Sequence, residues 1–359
     1  MAKGDIKMKK LIVGFIIAFF IIFITGSVYY WQYTKSPKYS LLQAKNAFEQ
    51  HDLDNFKRYV DVEGIANSLI DQLIELVTDK GQSTKDQGVQ SIESLYSGVV
   101  TLLKPQLSKL ATQQIVKLVE TGRLEKSQQE TKPKEPNFLL LNILNIWNKI
   151  GDKNSPFQGI KYIKKEGKIV YVGLIFYYKQ YNTELILELK MRDKGDYWQV
   201  AEFSNLTNYI KKLDELETKR INKLNAPIID EMKKTLIIEK IEKRTKIDEF
   251  DINKKVLIKV KVRNNGEKEI DQYKILLIFN SLNGKELKRI NIIDNDNIGP
   301  KDVGGGFWGI DVNPFASGDN VLFNTPQSKL DIKAEIQYIK FTDGSVLELH
   351  KKWRIIPEL

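Results

Sequence analysis

Two carboxylates on one predicted strand have the spacing of an acid–base pair. In the stretch TELILEL, Glu184 and Glu188 fall on the same face at even spacing, and leucines occupy the opposite face. Two positioned carboxyl groups suit general acid–base chemistry. The alternative is the solvated outer face of a half-covered sheet, where the same alternation arises without chemistry. His51 and His350 have no nucleophile near them in sequence and no G-x-S-x-G elbow occurs, so we predict no catalytic residue.

The stretch DNDNIGPKDVGGG begins like a calcium-binding loop. Asp294, Asp296 and Gly299 match its first, third and sixth positions, whereas Ile298 and Gly305 stand where oxygen ligands are needed. A polar loop between strands is the alternative interpretation. The chain has no cysteine and only two histidines, which removes thiolate sites, disulfides and multi-histidine metal sites within one protomer. We therefore expect no cofactor, and Asp294 and Asp296 are the sole metal candidates.

The stretch GGGFWG, residues 304–309, is rich in glycine but lacks the Lys-Ser/Thr pair and the strand-to-helix setting of a phosphate loop. A bulge or a crowded strand start accounts for the glycines. Phe307 and Trp308 alternate faces on a strand, so the sequence predicts that one of them is exposed as a binding surface. Core packing of both is the alternative.

The net charge of +10 over 359 residues raises the question of a polyanionic partner. The excess is spread between the N-terminal flank and residues 208–247, and residues 248–359 carry equal numbers of acidic and basic side chains. No concentrated basic stripe with interleaved aromatic residues is visible in the sequence. We therefore expect no nucleic-acid partner.

The segment from Leu11 to Thr34 carries no charge, and its apolar part is long enough to cross a bilayer. Four cations precede it, which predicts a cytoplasmic N-terminus and an extracytoplasmic bulk of the chain. These cations are Lys3, Lys7, Lys9 and Lys10. The aromatic side chains predicted at the far interface are Tyr29, Tyr30, Trp31 and Tyr33. We expect an uncleaved anchor that contacts membrane lipid through residues 11–34; a cleaved signal peptide and a buried soluble helix are the alternatives.

Helical spacing dominates the region after the anchor and begins with Ser36-Pro37 as N-cap and first helical residue. From Phe157 the period becomes two, which predicts a four-stranded meander with turns at Glu166-Gly167, Gln180 to Asn182 and Lys194-Gly195. Helical spacing then returns up to Ile247, with a predicted break at Asn225-Ala226-Pro227. The predicted fold class is α+β, with an N-terminal transmembrane helix, helices packed on an antiparallel meander, and then an all-β immunoglobulin-like sandwich. The predicted divisions are a basic flank (1–10), an anchor (11–34), an α+β domain (35–207), a helical connector (208–250) and a β-sandwich domain (251–359).

Two parts of the chain resemble known families. The stretches SPKYSLLQAKNAFEQHDLDNFKRYVDVEGIANSLIDQLI and DYWQVAEFSNLTNYI resemble the bacterial membrane-anchored domain-of-unknown-function family 2939, over about residues 31–209. The C-terminal part resembles exported bacterial immunoglobulin-like domains. The residues that carry this second likeness are Val260, Val262, Asn264, Gly266, Tyr273, Leu276, Phe279 and Gly284. The first resemblance implies no activity, and the second implies adhesion, spacing or ligand binding.

These observations together predict a single-pass, membrane-anchored extracytoplasmic protein of the bacterial envelope. Its expected role is non-enzymatic binding, with an unknown envelope protein or cell-surface ligand as partner. One alternative is an extracytoplasmic enzyme whose site is formed by distant residues of the α+β domain, and another is a pure spacer or display protein. The basic connector could also meet anionic headgroups or cell-wall polymers.

Overall fold

A computed structural model describes residues 33–81, 90–122, 156–247 and 254–352, with the side chains of 77–102 excepted. The chain divides into two compact units, with the sequence boundary between Leu216 and Glu217. The lysines of the N-terminal flank, residues 29–31 of the aromatic collar and nearly all of the predicted anchor lie outside the described residues.

The first unit begins with helices whose starts are fixed by local capping. Ser36 is the N-cap of the first helix, and its Oγ accepts a hydrogen bond from the Tyr39 amide at 3.2 Å, which confirms the predicted start. Asp52 caps the second helix in the same way through the Asn55 amide at 3.0 Å. The helices are α1 (Pro37–Glu49), α2 (Leu53–Tyr59), α3 (Val62–Gly81) and α4 (Gln90–Thr121).

These helices cover one face of a four-stranded antiparallel sheet with the order β1-β2-β3-β4. Alternate residues of β2, from Val170 to Phe176, are buried in one cluster with Leu69 of α3 and Leu118 of α4. Ser40 of α1 joins the sheet by accepting the backbone amide of Trp198 at 2.9 Å. The strands are β1 (Phe157–Glu166), β2 (Ile169–Tyr178), β3 (Thr183–Asp193) and β4 (Trp198–Phe203).

The second unit contains a three-stranded sheet with the order β5-β6-β9 and a four-stranded sheet with the order β11-β10-β7-β8, both antiparallel. Its core includes the fully buried Tyr273 and Phe279 of β7 and the inward residues of β6. The first residues of α5 (Leu206–Thr235) belong to the first unit and the rest to the second. The elements that follow it are β5 (Leu236–Ile247), β6 (Lys254–Asn264), β7 (Ile270–Ser281), β8 (Glu286–Asp294), β9 (Val303–Asp311), α6 (Ser317–Asn324), β10 (Leu330–Phe341) and β11 (Val346–Glu348).

The predicted fold class is wrong. The described residues form six α-helices and three antiparallel sheets, and none of these helices is both long and apolar enough to cross a membrane. The second unit is not an all-β sandwich, because Met232 of α5 and Leu322 and Phe323 of α6 are buried in its core. These helical side chains bury apolar surface that strands alone would otherwise have to cover.

The predicted helical character of residues 236–247 is also wrong. Helix α5 continues through Pro227 to Thr235 without the predicted break, and the stretch LIIEKIEKRTKI is strand β5. This strand pairs with β6 along almost its whole length, and Ile238 and Ile241 pack against the core. Its Glu and Lys spacing suits a helix equally well, so pairing with β6 decides the conformation.

Candidate functional site

The outer face of the three-stranded sheet carries a concentration of positive charge. Strand β6 alternates, so that Val256, Ile258, Val260 and Val262 are buried and the residues between them point to the opposite side. Register with β5 and β9 brings the outward residues of the three strands side by side. The cations on this side are Lys240, Arg244, Lys246, Lys255, Lys259, Lys261 and Arg263. Within the three strands, the carboxylates on the same side are Glu239, Glu242 and Asp311.

We call these ten residues, together with Phe307, the cationic sheet face. Each of its carboxylates is engaged. Glu239 accepts from Lys261 at 2.8 Å and from Arg263 at 2.5 Å, and these hydrogen bonds lower the pKa of Glu239. Glu242 is held by Lys240 at 2.5 Å, which likewise lowers its pKa. Glu239 and Glu242 therefore stay ionised at neutral pH. Asp311 lies 3.2 Å from Lys255 Nζ, and the cations of the face still outnumber its carboxylates.

Phe307 lies halfway along β9, which is an edge strand of this sheet. Its side chain is 69% exposed, and the Nζ of Lys259, its cross-strand partner on β6, lies 5.0 Å from the ring centroid. The neighbouring outward positions on β9 are Gly305 and Gly309, so no side chain on β9 shields the ring. Gly305 has φ +124°, and a Cβ there would meet the Val260 carbonyl oxygen at 2.1 Å, so only glycine fits this position.

Trp308 faces the other way. Its ring packs against the core of the second unit, and its Nε1 donates to the Ile293 carbonyl at 3.3 Å. Of the two aromatic residues singled out in the sequence, Phe307 is thus the exposed one. Its service as a binding surface remains a prediction.

In the loop that resembles a calcium site, the first aspartate accepts hydrogen bonds from within the protein. Asp294 is 7% exposed, and its Oδ2 accepts from the Tyr273 hydroxyl at 2.6 Å. Its Oδ1 accepts from the backbone amide of Asp296 at 3.1 Å. Burial, together with the Asp294 carboxylate, raises the pKa of Tyr273. Among the described residues no group of three or more acidic or histidine side chains is placed to hold a metal ion.

Glu188 in the first unit gains two partners that the sequence pattern did not reveal. The Tyr162 hydroxyl donates to Glu188 Oε2 at 2.6 Å, and Ser204 Oγ donates to Oε1 at 2.9 Å. Glu184 does not join them and lies 3.7 Å from Lys161 Nζ. Burial, with Glu188 as the second cause, raises the pKa of Tyr162 to about 12. We call Tyr162, Glu188 and Ser204 the Tyr162 cluster.

Neither histidine forms part of such a cluster. His51 Nδ1 donates to the Val119 carbonyl at 2.7 Å, which ties a turn to helix α4. His350 is held through its backbone: its amide donates to Asn225 Oδ1 at 2.8 Å, and Asn225 Nδ2 donates to its carbonyl at 3.1 Å. Beside it lies an open cavity of about 480 Å³, lined by Ile228 and residues 346–351. Sequence reasoning missed Asn225 because it treated Asn225-Ala226-Pro227 as a helix break.

The comparisons with known proteins leave the family open. No family model and no curated protein matches the chain. One similar solved chain is described as "X-ray structure of Northeast Structural Genomics Consortium target SoR45". The likeness covers 32% of this chain and 80% of that one, with 14% sequence identity and a TM-score of 0.21. A TM-score this low carries no argument, and the family resemblances seen in the sequence stay predictions.

Proposed function

We propose that this chain is a membrane-anchored envelope protein that binds, without catalysis, an anionic ligand outside the cytoplasm. The observation that carries the proposal is the cationic sheet face, where cations outnumber carboxylates around the exposed Phe307. The uncharged segment 11–34, with four lysines before it, supports attachment to the cell membrane. The spread of charge along the sequence predicts no nucleic-acid partner, and the proposed extracytoplasmic location agrees with that prediction.

The composition of the cationic sheet face fits recognition of a negatively charged partner. Exposed cations attract an anionic partner over roughly a Debye length of about 8 Å at physiological salt. The exposed ring of Phe307 adds apolar contact area at the β9 edge of the charged surface. An acidic patch of an envelope protein and an anionic cell-surface ligand are the two partner classes that this chemistry admits.

The test measures binding of two anionic probes, polyglutamate and inorganic polyphosphate, to the full chain in neutral detergent micelles. The double variant Lys259→Glu/Lys261→Glu is expected to weaken binding by at least tenfold, since each reversal replaces an attraction by a repulsion. The matched control, Lys168→Glu/Lys194→Glu, changes the net charge equally on exposed turns of the first unit. Equal losses in both variants would mean that net charge, and not the face, is responsible.

The Tyr162 cluster favours a second candidate, an extracytoplasmic enzyme. Tyr162 and Ser204, which are far apart in sequence, converge there on the carboxylate of Glu188, as an acid–base site built from distant residues requires. The test is hydrolysis of a panel of chromogenic esters and glycosides by the full chain. Activity that Glu188→Gln abolishes and Glu184→Gln retains would support it, and no turnover of the panel by the unmodified chain would count against it.

A further inference from the structure

We propose that the anionic ligand of the cationic sheet face is the surface of a lipid bilayer that contains anionic phospholipids. The inference rests on the function proposed above and narrows its ligand. It follows from the way that charged and apolar side chains alternate across the three strands.

Exposed apolar side chains are interspersed with the cations in register. Arg263 lies between Ile237 of β5 and Val303 of β9, which are 40% and 43% exposed. Two outward positions earlier on β6, Lys259 lies between Glu242 of β5 and Phe307 of β9. Each of these rows therefore places a cation beside at least one exposed apolar group.

A bilayer interface is the partner that engages both kinds of side chain at once. Apolar rings and aliphatic groups enter the boundary between headgroups and acyl chains, and Lys and Arg meet the headgroup phosphates. The Nζ of Lys259 lies 5.0 Å from the centroid of the Phe307 ring, and the long lysine stem lets this ammonium move to headgroup level when the ring enters the apolar boundary.

A soluble polyanion engages the same surface differently. Phosphate groups on a flexible polymer satisfy the cations, but they offer nothing apolar to Phe307, Ile237 or Val303. Removing the Phe307 ring therefore separates the two ligands. It weakens attachment to a bilayer and leaves attachment to a polyphosphate intact.

The experiment captures fluorescent vesicles with the full chain held in phosphatidylcholine nanodiscs, so that the apolar segment 11–34 is already occupied. The vesicles consist of phosphatidylcholine alone or of phosphatidylcholine with phosphatidylglycerol. We expect capture only of the vesicles that contain phosphatidylglycerol. Lys259→Ala, which removes one cation, is expected to reduce this capture on the order of fivefold. Phe307→Ser is expected to reduce capture by roughly tenfold while polyphosphate binding stays unchanged.

The matched control is Leu282→Ser combined with Lys333→Ala. Leu282 is 71% exposed in the β7–β8 turn and Lys333 is exposed on β10, so the same kinds of side chain are removed from the other sheet. This control is expected to capture vesicles like the unmodified chain.

The outcomes separate the two proposals. Polyphosphate or polyglutamate binding without vesicle capture, or capture that Phe307→Ser leaves unchanged, overturns the lipid inference and leaves the anionic-ligand function standing. Binding of none of the three probes overturns both.

Discussion

Removal of one hydroxyl, by Tyr273→Phe, tests whether Asp294 is a structural acceptor or a metal ligand. The hydroxyl donates to Asp294 Oδ2 at 2.6 Å, the Tyr273 side chain is fully buried, and Asp294 is nearly so. A hydrogen bond to a charged acceptor contributes roughly 1.5–3 kcal/mol, and its loss leaves a buried carboxylate oxygen without its donor. The substitution leaves the shape of the ring unchanged, so no large cavity adds to the cost.

The assay is thermal and urea unfolding of the full chain in detergent at neutral pH, followed by tryptophan fluorescence. Trp308 is a local reporter because its indole donates to the carbonyl of Ile293, the residue before Asp294. We expect the midpoint of the second unit to fall by roughly 4–10 °C. The control Tyr338→Phe removes a hydroxyl from a half-exposed ring on β10 and is expected to change stability little. If the Tyr273→Phe protein were as stable as the unmodified chain and added calcium raised its stability, Asp294 would not be a structural acceptor. The interpretation of residues 294–306 as a calcium-binding loop would then be favoured.

Three further predictions concern other contacts. Burial, with the Glu188 contact as a second cause, raises the pKa of Tyr162 to about 12, so the protonated ring favours the folded first unit below pH about 10 and this contribution is lost as the pH rises through about 12. In an NMR titration, Glu188→Gln should lower the pKa of Tyr162 yet leave it above its ordinary value, because burial is the main cause; an unchanged pKa would contradict the contact. Asn225→Ala should cost roughly 1–2 kcal/mol and speed amide exchange around His350, and unaltered exchange there would show that the two hydrogen bonds contribute nothing. Pro105→Ala should stabilise α4 by roughly 1–3 kcal/mol in urea unfolding, because it restores an amide donor inside the helix; a loss of stability would argue against a continuous helix there.

Local sequence signals were sufficient to predict the structure where a residue interacts with its neighbours in the chain. Ser36 begins α1 because its hydroxyl accepts an amide three residues on, and this needs no distant contact. The predicted turns at Glu166-Gly167 and Lys194-Gly195 are confirmed, with both glycines at positive φ. The alternating strands next to these turns were recognisable because burial of one face imposes a period of two.

The same signals failed where two conformations share one pattern. The stretch from Leu236 to Ile247 has helical charge spacing, yet it pairs with β6 and becomes a strand. Pro227 was expected to end a helix, but α5 continues past it to Thr235. Propensity is worth a fraction of a kcal/mol per residue, and strand pairing and burial outweigh it.

The candidate site shows the same division. The sequence analysis identified Phe307 and the glycines around it. The alternation of side chains along a strand implied that either Phe307 or Trp308 faces outward, but not which one. Residues 248–359 have no net charge because they contain equal numbers of acidic and basic side chains, so a charge count along the chain does not reveal the cationic sheet face. The excess of cations on one face exists only once register aligns β5, β6 and β9, and the Tyr162 cluster likewise joins residues from three separate places.

By itself the sequence determined the local properties of this protein: helix caps, turn glycines, strand periodicity, the uncharged segment 11–34 and the absence of thiolate chemistry. Tertiary structure alone decided that residues 236–247 are a strand, that Asp294 accepts a hydrogen bond from the buried Tyr273, and that Lys259 lies over Phe307 within a cationic surface. The physical reason is that caps and turns depend on residues within a few positions of each other. Strand register, burial and the summed charge of a face depend on side chains that only the folded chain brings together.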